Sequence, residues 1–220
     1  SDVLSTRQEK VFCGPCSQNI RYLTQSHCPV CGLIFPDSPA SDHLCGRCLG
    51  EPPHYDVARA ALAYEGILLD AIHQFKYGRN LTVGSALAGL LADFNFPDFD
   101  FGSFDVILPV PLHIRRLRQR GFNQALILSR ALGKKHGLDV DFSLIKRNKF
   151  TLTQTGLDKK EREKNIKGAF SVVHPERLIA KNVILVDDVY TTGATIDECA
   201  KILKKAGAAQ VGVITLARVL

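Results

Sequence analysis

Residues 183–195 read VILVDDVYTTGAT: an apolar run, two adjacent carboxylates at Asp187 and Asp188, then a small hydroxyl-rich turn. That turn, Thr191, Thr192, Gly193, Ala194 and Thr195, opens into a helical pattern. A glycine-containing turn between a strand and a helix suits a phosphate, because backbone amides, Thr hydroxyls and the helix dipole converge on the anion. Two carboxylates in contact with that phosphate would repel it. They are tolerated if they face hydroxyl groups elsewhere on the same ligand, as an acidic residue faces the ribose diol in dinucleotide sites. A ribose 5-phosphate has this layout. Asp187 and Asp188 therefore read as a ribose clamp and as the candidate catalytic pair, beside a phosphate cradle at 191–195.

A second chemistry lies upstream. Six of the seven cysteines form three Cys-x-x-Cys pairs, Cys13/Cys16, Cys28/Cys31 and Cys45/Cys48. In a chain of intracellular character, for which a cytoplasmic location is expected, such knuckles indicate tetrahedral zinc more than disulfides. Cys28, Cys31, Cys45 and Cys48 make one complete four-thiolate site. Cys13 and Cys16, within Cys-Gly-Pro-Cys, form half of another. The same tetrapeptide serves thiol redox chemistry, but that needs a strand before it and a helix opening at its first Cys. The short polar stretch before Cys13 cannot build this context. With no Met in the sequence, a few native N-terminal residues are expected to be missing, including a partner for Cys13 and Cys16. Cys199, among apolar residues on a helical face, reads as core.

The net charge of +6 is unevenly distributed. Residues 113–167 carry fifteen basic and five acidic side chains, whereas residues 1–55 carry four basic and five acidic ones. A local positive field suits phosphates, whether of a nucleotide or of a nucleic acid; the plainer reading is a solvated surface. No run is long enough to span a membrane, and no signal peptide is visible, so membrane insertion is not expected.

These groups need elements to hold them. The paired prolines of GEPPHYD (50–56) read as a linker. VARAALAY (57–64) is a strand, and two amphipathic helical faces follow, through Leu68, Leu69, Ile72 and Phe75, then Val83, Leu87, Leu90, Leu91 and Phe94. FNFPDFDFGSF (94–104) interrupts with Pro and Gly. Strands are expected at 105–110, 141–147, 168–173, 183–187 and 211–217. Helices are expected at 122–137, ending on Gly137, and at 196–206 with Ile196, Cys199, Ala200 and Leu203 on one face. Short apolar strands between helices predict an α/β fold with a parallel sheet covered on both faces. Residues 148–167 lack apolar periodicity and read as a long polar lid.

VILVDDVYTTGAT resembles the phosphoribosyl-pyrophosphate (PRPP) signature of type I phosphoribosyltransferases. The order of cysteine knuckles, FKYGRN (75–80), LPVPLHIRRLRQRGFNQA (108–125), TQTGLDKKEREKNIKGAF (153–170) and that signature is similar to the ComF family, phosphoribosyltransferase-like proteins tied to DNA uptake in natural transformation. The resemblance covers essentially the whole chain, although family members usually carry one more N-terminal Cys-x-x-Cys. It implies a zinc ribbon at 1–55 and a phosphoribosyltransferase-like domain at 56–220 with a flexible loop at about 148–167. It further implies that Asp187 and Asp188 hold the ribose hydroxyls and that residues 191–195 hold the 5-phosphate. A loop at 109–121 then meets the pyrophosphate, with Arg115, Arg116, Arg118 and Arg120 balancing its charge beside Mg²⁺, and Lys76 nearby. Gln154, Arg162 and Asn165 are the candidates on the flexible loop.

Three functions compete. The chain can be a phosphoribosyltransferase acting on an unidentified nucleophile, a binder of single-stranded DNA or a nucleotide, or a zinc-ribbon adaptor for uptake or helicase proteins. The intact acidic pair and turn favour a PRPP-competent site used in DNA uptake. The expected scarcity of exposed aromatic rings counts against stacking on single-stranded DNA.

Overall fold

In the computed structural model, which describes residues 11–35, 42–150 and 165–220, the apolar runs form one five-stranded sheet. Its strands are β1 (Val57–Ala63), β2 (Val106–Pro109), β3 (Asp139–Val140), β6 (Asn182–Tyr190) and β7 (Gln210–Arg218), in the spatial order β1-β7-β6-β2-β3. Every neighbouring pair is parallel. Alternate residues of the two central strands enter opposite cores. Ile184, Val186, Ile214 and Leu216 face one side, and Val183, Leu185, Val211 and Val213 face the other. All eight are fully buried, which is why β6 and β7 read as continuous apolar runs rather than alternating ones.

On the first face lie α3 (Gly66–Tyr77), α4 (Leu81–Asp93) and α6 (Gln124–His136). The Asn123 side chain caps α6 by accepting from the Ala125 amide at 3.0 Å, and Gly137 ends it in the left-handed conformation, as the sequence predicts. The interrupting segment 94–104 is an aromatic plug beneath this layer: Phe99 stacks on Phe104 at 5.0 Å, and both are buried. The second face is covered by α7 (Ala194–Lys205) and by the Cys28–Cys48 part of the Cys-rich segment with its short helix α2 (Gly46–Gly50), whereas Phe12 and Ile20, either side of α1 (Gly14–Gln18), pack into the core of the first face.

Two expectations change. The strands expected at 141–147 and 168–173 do not join the parallel sheet. Residues β4 (Ile145–Arg147) and β5 (Phe170–Val172) pair antiparallel as a separate ribbon. The segment expected as a loop, 109–121, contains helix α5 (Ile114–Arg120), capped by the His113 ring accepting from the Arg115 amide and closed by Gly121.

The Cys-rich segment also covers the edge of the sheet. The amides of Ala58 and Ala63 donate to the carbonyls of Val30 and Arg21, while the Leu23 amide donates to the Ala61 carbonyl. Strand β1 thus gains partners on its open side, and an edge that would otherwise template association is closed. Among the described residues no helix is long and apolar enough to cross a membrane.

Candidate functional site

Strand register brings the chemical groups together. Pro109, the last residue of β2, lies level with Val186 on β6, so the chain leaves β2 beside the point where Asp187 begins the acidic pair. The carboxyl ends of parallel strands are where such sheets take ligands. A cavity of about 540 Å³ opens there, a size suited to a small phosphorylated ligand. Asp187, Asp188 and all five residues of the 191–195 turn line it, with Lys76, Arg116 and Arg120.

The turn is made by Gly193, whose φ of +79° suits glycine, and it leads straight into α7 without a side-chain cap. The Ala194 amide is met by the Thr192 hydroxyl at 3.4 Å, and the positive end of the α7 dipole faces the cavity at the turn, where it suits an anion. The acidic pair is stabilised from within. Lys76, in the last turn of α3, places Nζ 2.9 Å from Asp188 Oδ1, with both side chains largely buried. Burial works to lower the Lys76 ammonium, but Asp188 and then Asp187 outweigh it and hold it above its ordinary value. Lys76 thus compensates the acidic pair while also lining the cavity.

Burial and the Asp188 charge push the Asp187 carboxyl up to about 7, against opposing help from the Asp188 amide, Lys76 and Arg147. A folded-state value above the ordinary 3.8 gives a stabilising contribution that is complete below about pH 4 and is lost as pH rises through about 7. The unliganded protein should therefore lose melting temperature between about pH 4 and 7, and Asp187→Asn should flatten that slope. An unchanged slope in the variant would assign the titration elsewhere.

Helix α5 sorts the four arginines by its period. Arg116 and Arg120, four residues apart, turn toward the cavity. Arg115 and Arg118 are exposed and do not line it. A second hollow of about 350 Å³ adjoins, lined by Lys76, Tyr77, Arg79, Arg116, Arg120 and Phe150, among others. Exposed aromatic rings are few, as expected, but two of them, Tyr77 and Phe150, stand here beside the cations. Arg120 lies 5.2 Å from the Tyr77 ring centre, and Arg115 lies 5.3 Å from that of Phe150. Gln154 and Arg162 lie outside the described residues. Asn165 is described and half-buried, but does not line the cavity.

Several cavity residues escaped the sequence reading. Arg147 ends β4 and lines the cavity near Asp187. Gln124 is 1% exposed, accepts from Arg120 through Oε1 at 3.1 Å, and leaves Nε2 without a partner among the described residues. Its position within the GFNQ stretch was the available signal.

The second centre is the thiol cluster. Sulfurs of Cys28, Cys31, Cys45 and Cys48 all lie within 4.8 Å of one another and are buried. Four soft donors at that separation fit a tetrahedral zinc ion, which they could hold. Burial would raise the Cys28 thiol, yet the amides of Cys31, Cys45 and Val30 outweigh it and bring it down to about 7, whereas burial holds the Cys31 and Cys48 thiols above their ordinary value in the absence of a cation. Gly32 turns the first knuckle at φ +69°, where a Cβ would meet the Ala58 carbonyl oxygen at 2.6 Å. Cys13 is exposed and Cys16 half-buried. Among the described residues no further Cys, His, Asp or Glu groups with them as metal ligands.

The chain is similar to known proteins along most of its length. The phosphoribosyl transferase domain family matches residues 79–220. DNA utilization protein YhgH of Escherichia coli is 36% identical over 220 residues, covering 95% of this chain and 91% of that protein. Competence protein F of Haemophilus influenzae is 33% identical over 218 residues, covering 94% and 90%. Among solved structures, the glutamine PRPP amidotransferase of B. subtilis complexed with ADP and GMP is similar with a TM-score of 0.40 and 22% identity. That match covers 60% of this chain and 26% of the amidotransferase. Identity of 33–36% along nearly the whole length of the competence and DNA utilization proteins, together with the domain match over residues 79–220, means that this chain belongs to the ComF family of proteins with a phosphoribosyl transferase domain.

Proposed function

We propose that the protein binds PRPP, with Mg²⁺, in the 540 Å³ cavity, and that it does so in the service of DNA uptake. The observation that carries this reading is the meeting, in one cavity, of an acidic pair, an anion-holding turn and the inward arginines of α5. The turn suits the 5-phosphate, Asp187 and Asp188 suit the ribose hydroxyls, and Arg116 and Arg120 suit the diphosphate. The oxygen-only donor set of the acidic pair fits a hard cation such as Mg²⁺, which would neutralise charge on the diphosphate. Transfer at ribose C1 to a nucleophile is the reaction this layout serves. Residues 1–55 act as a zinc ribbon and residues 56–220 as the ligand-binding domain. The names of the similar proteins, which speak of competence and DNA utilization, support the cellular setting.

We further propose that single-stranded DNA runs along the rim of the same site. Tyr77 and Phe150, exposed beside Arg120 and Arg115, offer bases a stacking surface next to phosphate-binding charge. Calorimetry on the full chain tests both statements. PRPP with Mg²⁺ should bind, and Asp188→Asn should weaken it by about 1.5–3 kcal/mol for each charge-assisted bond lost. DNA affinity should fall steeply with salt, at about −0.7 per phosphate neutralised, and saturating PRPP should compete with it. Absence of any PRPP binding at millimolar concentration would sink the first statement. Independent binding of PRPP and DNA would remove DNA from this rim.

A further inference from the structure

The 191–195 turn is braced from behind by the Cys-rich segment. Arg47, between Cys45 and Cys48 on α2, donates from Nη1 to the Thr192 carbonyl at 2.6 Å. Arg218, 6% exposed at the end of β7, donates to the Cys31 carbonyl and lies 4.2 Å from the centre of the Tyr190 ring. The Tyr190 hydroxyl is 2.8 Å from that of Tyr55, and a Cβ on Gly193 would approach it to 2.3 Å. Tyr190 is therefore the floor of the turn. In the first turn of α7, Asp197 takes both the His54 amide and its Nδ1, at 2.7 and 2.9 Å.

The Arg47 bond has a specific geometric consequence. In a trans peptide the carbonyl and the following N–H point in opposite directions. Drawing the Thr192 carbonyl toward Arg47 aims the Gly193 N–H away from it, to the opposite side of the turn. A peptide unit flanking glycine reorients at little cost when nothing holds it, because glycine accepts φ of either sign. Holding it in place beforehand removes an ordering cost that a ligand would otherwise meet.

We infer that Arg47 is a positioning residue for the anion-holding turn, so that the four-thiol segment carrying it sets the affinity of the turn for a sugar phosphate. This rests on the reading of the cavity as a ribose-phosphate site. It adds that the metal centre and the ligand centre are one linked system. Linkage is reciprocal: whatever factor the ordered knuckle gives the ligand, the ligand returns to the metal.

The test uses the full, zinc-loaded chain with Arg47→Ala, Arg47→Lys and Tyr55→Phe, and two probes, ribose 5-phosphate and inorganic pyrophosphate. In Arg47→Ala, ribose 5-phosphate affinity should fall on the order of tenfold. Pyrophosphate affinity and melting temperature should stay near wild type, since Arg116 and Arg120 are untouched. Arg47→Lys should recover part of the loss, because an ammonium can still donate to a single carbonyl. Tyr55→Phe should give a smaller loss. Ribose 5-phosphate should also slow transfer of zinc to a chelator in the wild type, and much less so in Arg47→Ala.

Unchanged ribose 5-phosphate affinity in Arg47→Ala would overturn the inference. So would equal losses for both probes with a lowered melting temperature, which would make Arg47 a merely structural residue. If Arg47→Ala does not fold, Arg47→Lys carries the same comparison against the wild type. A wild-type protein that binds neither probe would overturn the ribose-phosphate reading itself, and this inference with it.

Discussion

Gly193→Ala is expected to abolish ribose-phosphate binding and to lower the melting temperature by roughly 6–12 °C, the equivalent of about 3 kcal/mol in a chain of this size. Two costs add. The backbone sits at φ +79°, where an L side chain is strained. The new Cβ would also stand 2.3 Å from the Tyr190 hydroxyl and 2.6 Å from its ring carbon Cζ. Tyr190 cannot swing aside cheaply, being 2% exposed, bonded to Tyr55 and stacked under Arg218. Either the turn lifts off the floor or the floor is displaced, and both move the amides that receive the phosphate. Gly193→Asn separates the terms. Asparagine tolerates the left-handed conformation but carries the same Cβ. Loss of binding in both variants, read by calorimetry beside thermal melts, assigns the effect to the close approach. Recovery in Gly193→Asn would reduce the requirement to backbone conformation alone, and wild-type binding in Gly193→Ala would remove the turn from the site.

The acidic pair, the turn and the strands around them were legible because each is written locally. Apolar runs of strand length, the hydroxyl-rich turn and the Ile196, Cys199, Ala200 and Leu203 face of α7 all lie within a few residues of one another. The thiol cluster was legible for the same reason, since knuckle spacing is a local geometric statement. Helix α5 was missed because IRRLRQR has too few apolar residues to show a period. Its ends were nonetheless marked, by His113 as cap and by Gly121 at φ +85°. That omission hid the division of the arginines between cavity and solvent. The antiparallel pairing of β4 with β5 was not readable, because a short apolar strand does not announce its partner's direction. Least legible were the ties that span the chain. Lys76 is 112 residues from Asp188 in the numbering, and Arg47 is 145 from Thr192. Each looks locally like a surface cation. Only tertiary packing buries one against a carboxylate and turns the other onto a carbonyl.

Removal of metal from the thiol cluster is expected to unfold the Cys-rich segment while the sheet survives. Four buried sulfurs within 4.8 Å of one another repel as thiolates without a cation, which works against the bonds that tie the knuckles to the sheet. Zinc in small thiolate-bound fingers supplies about 10–16 kcal/mol of folding free energy, which is lost with the metal. Metal analysis should give about one zinc per chain, consistent with a single four-thiolate site. Chelation, or Cys28→Ser, should release it. The consequence can be read residue by residue through hydrogen exchange. The Ala58 and Ala63 amides are bonded to Val30 and Arg21, on the segment that would be lost, and should exchange fast. Ile184 and Val213, on β6 and β7 at the centre of the sheet, should stay protected because β1 and β2 still flank them. The bared edge of β1 should then promote association, visible as a rise in light scattering after chelation and reversed by zinc. Metal-free protein that kept Ala58 and Ala63 protected would show that the segment holds itself without zinc and would overturn the prediction.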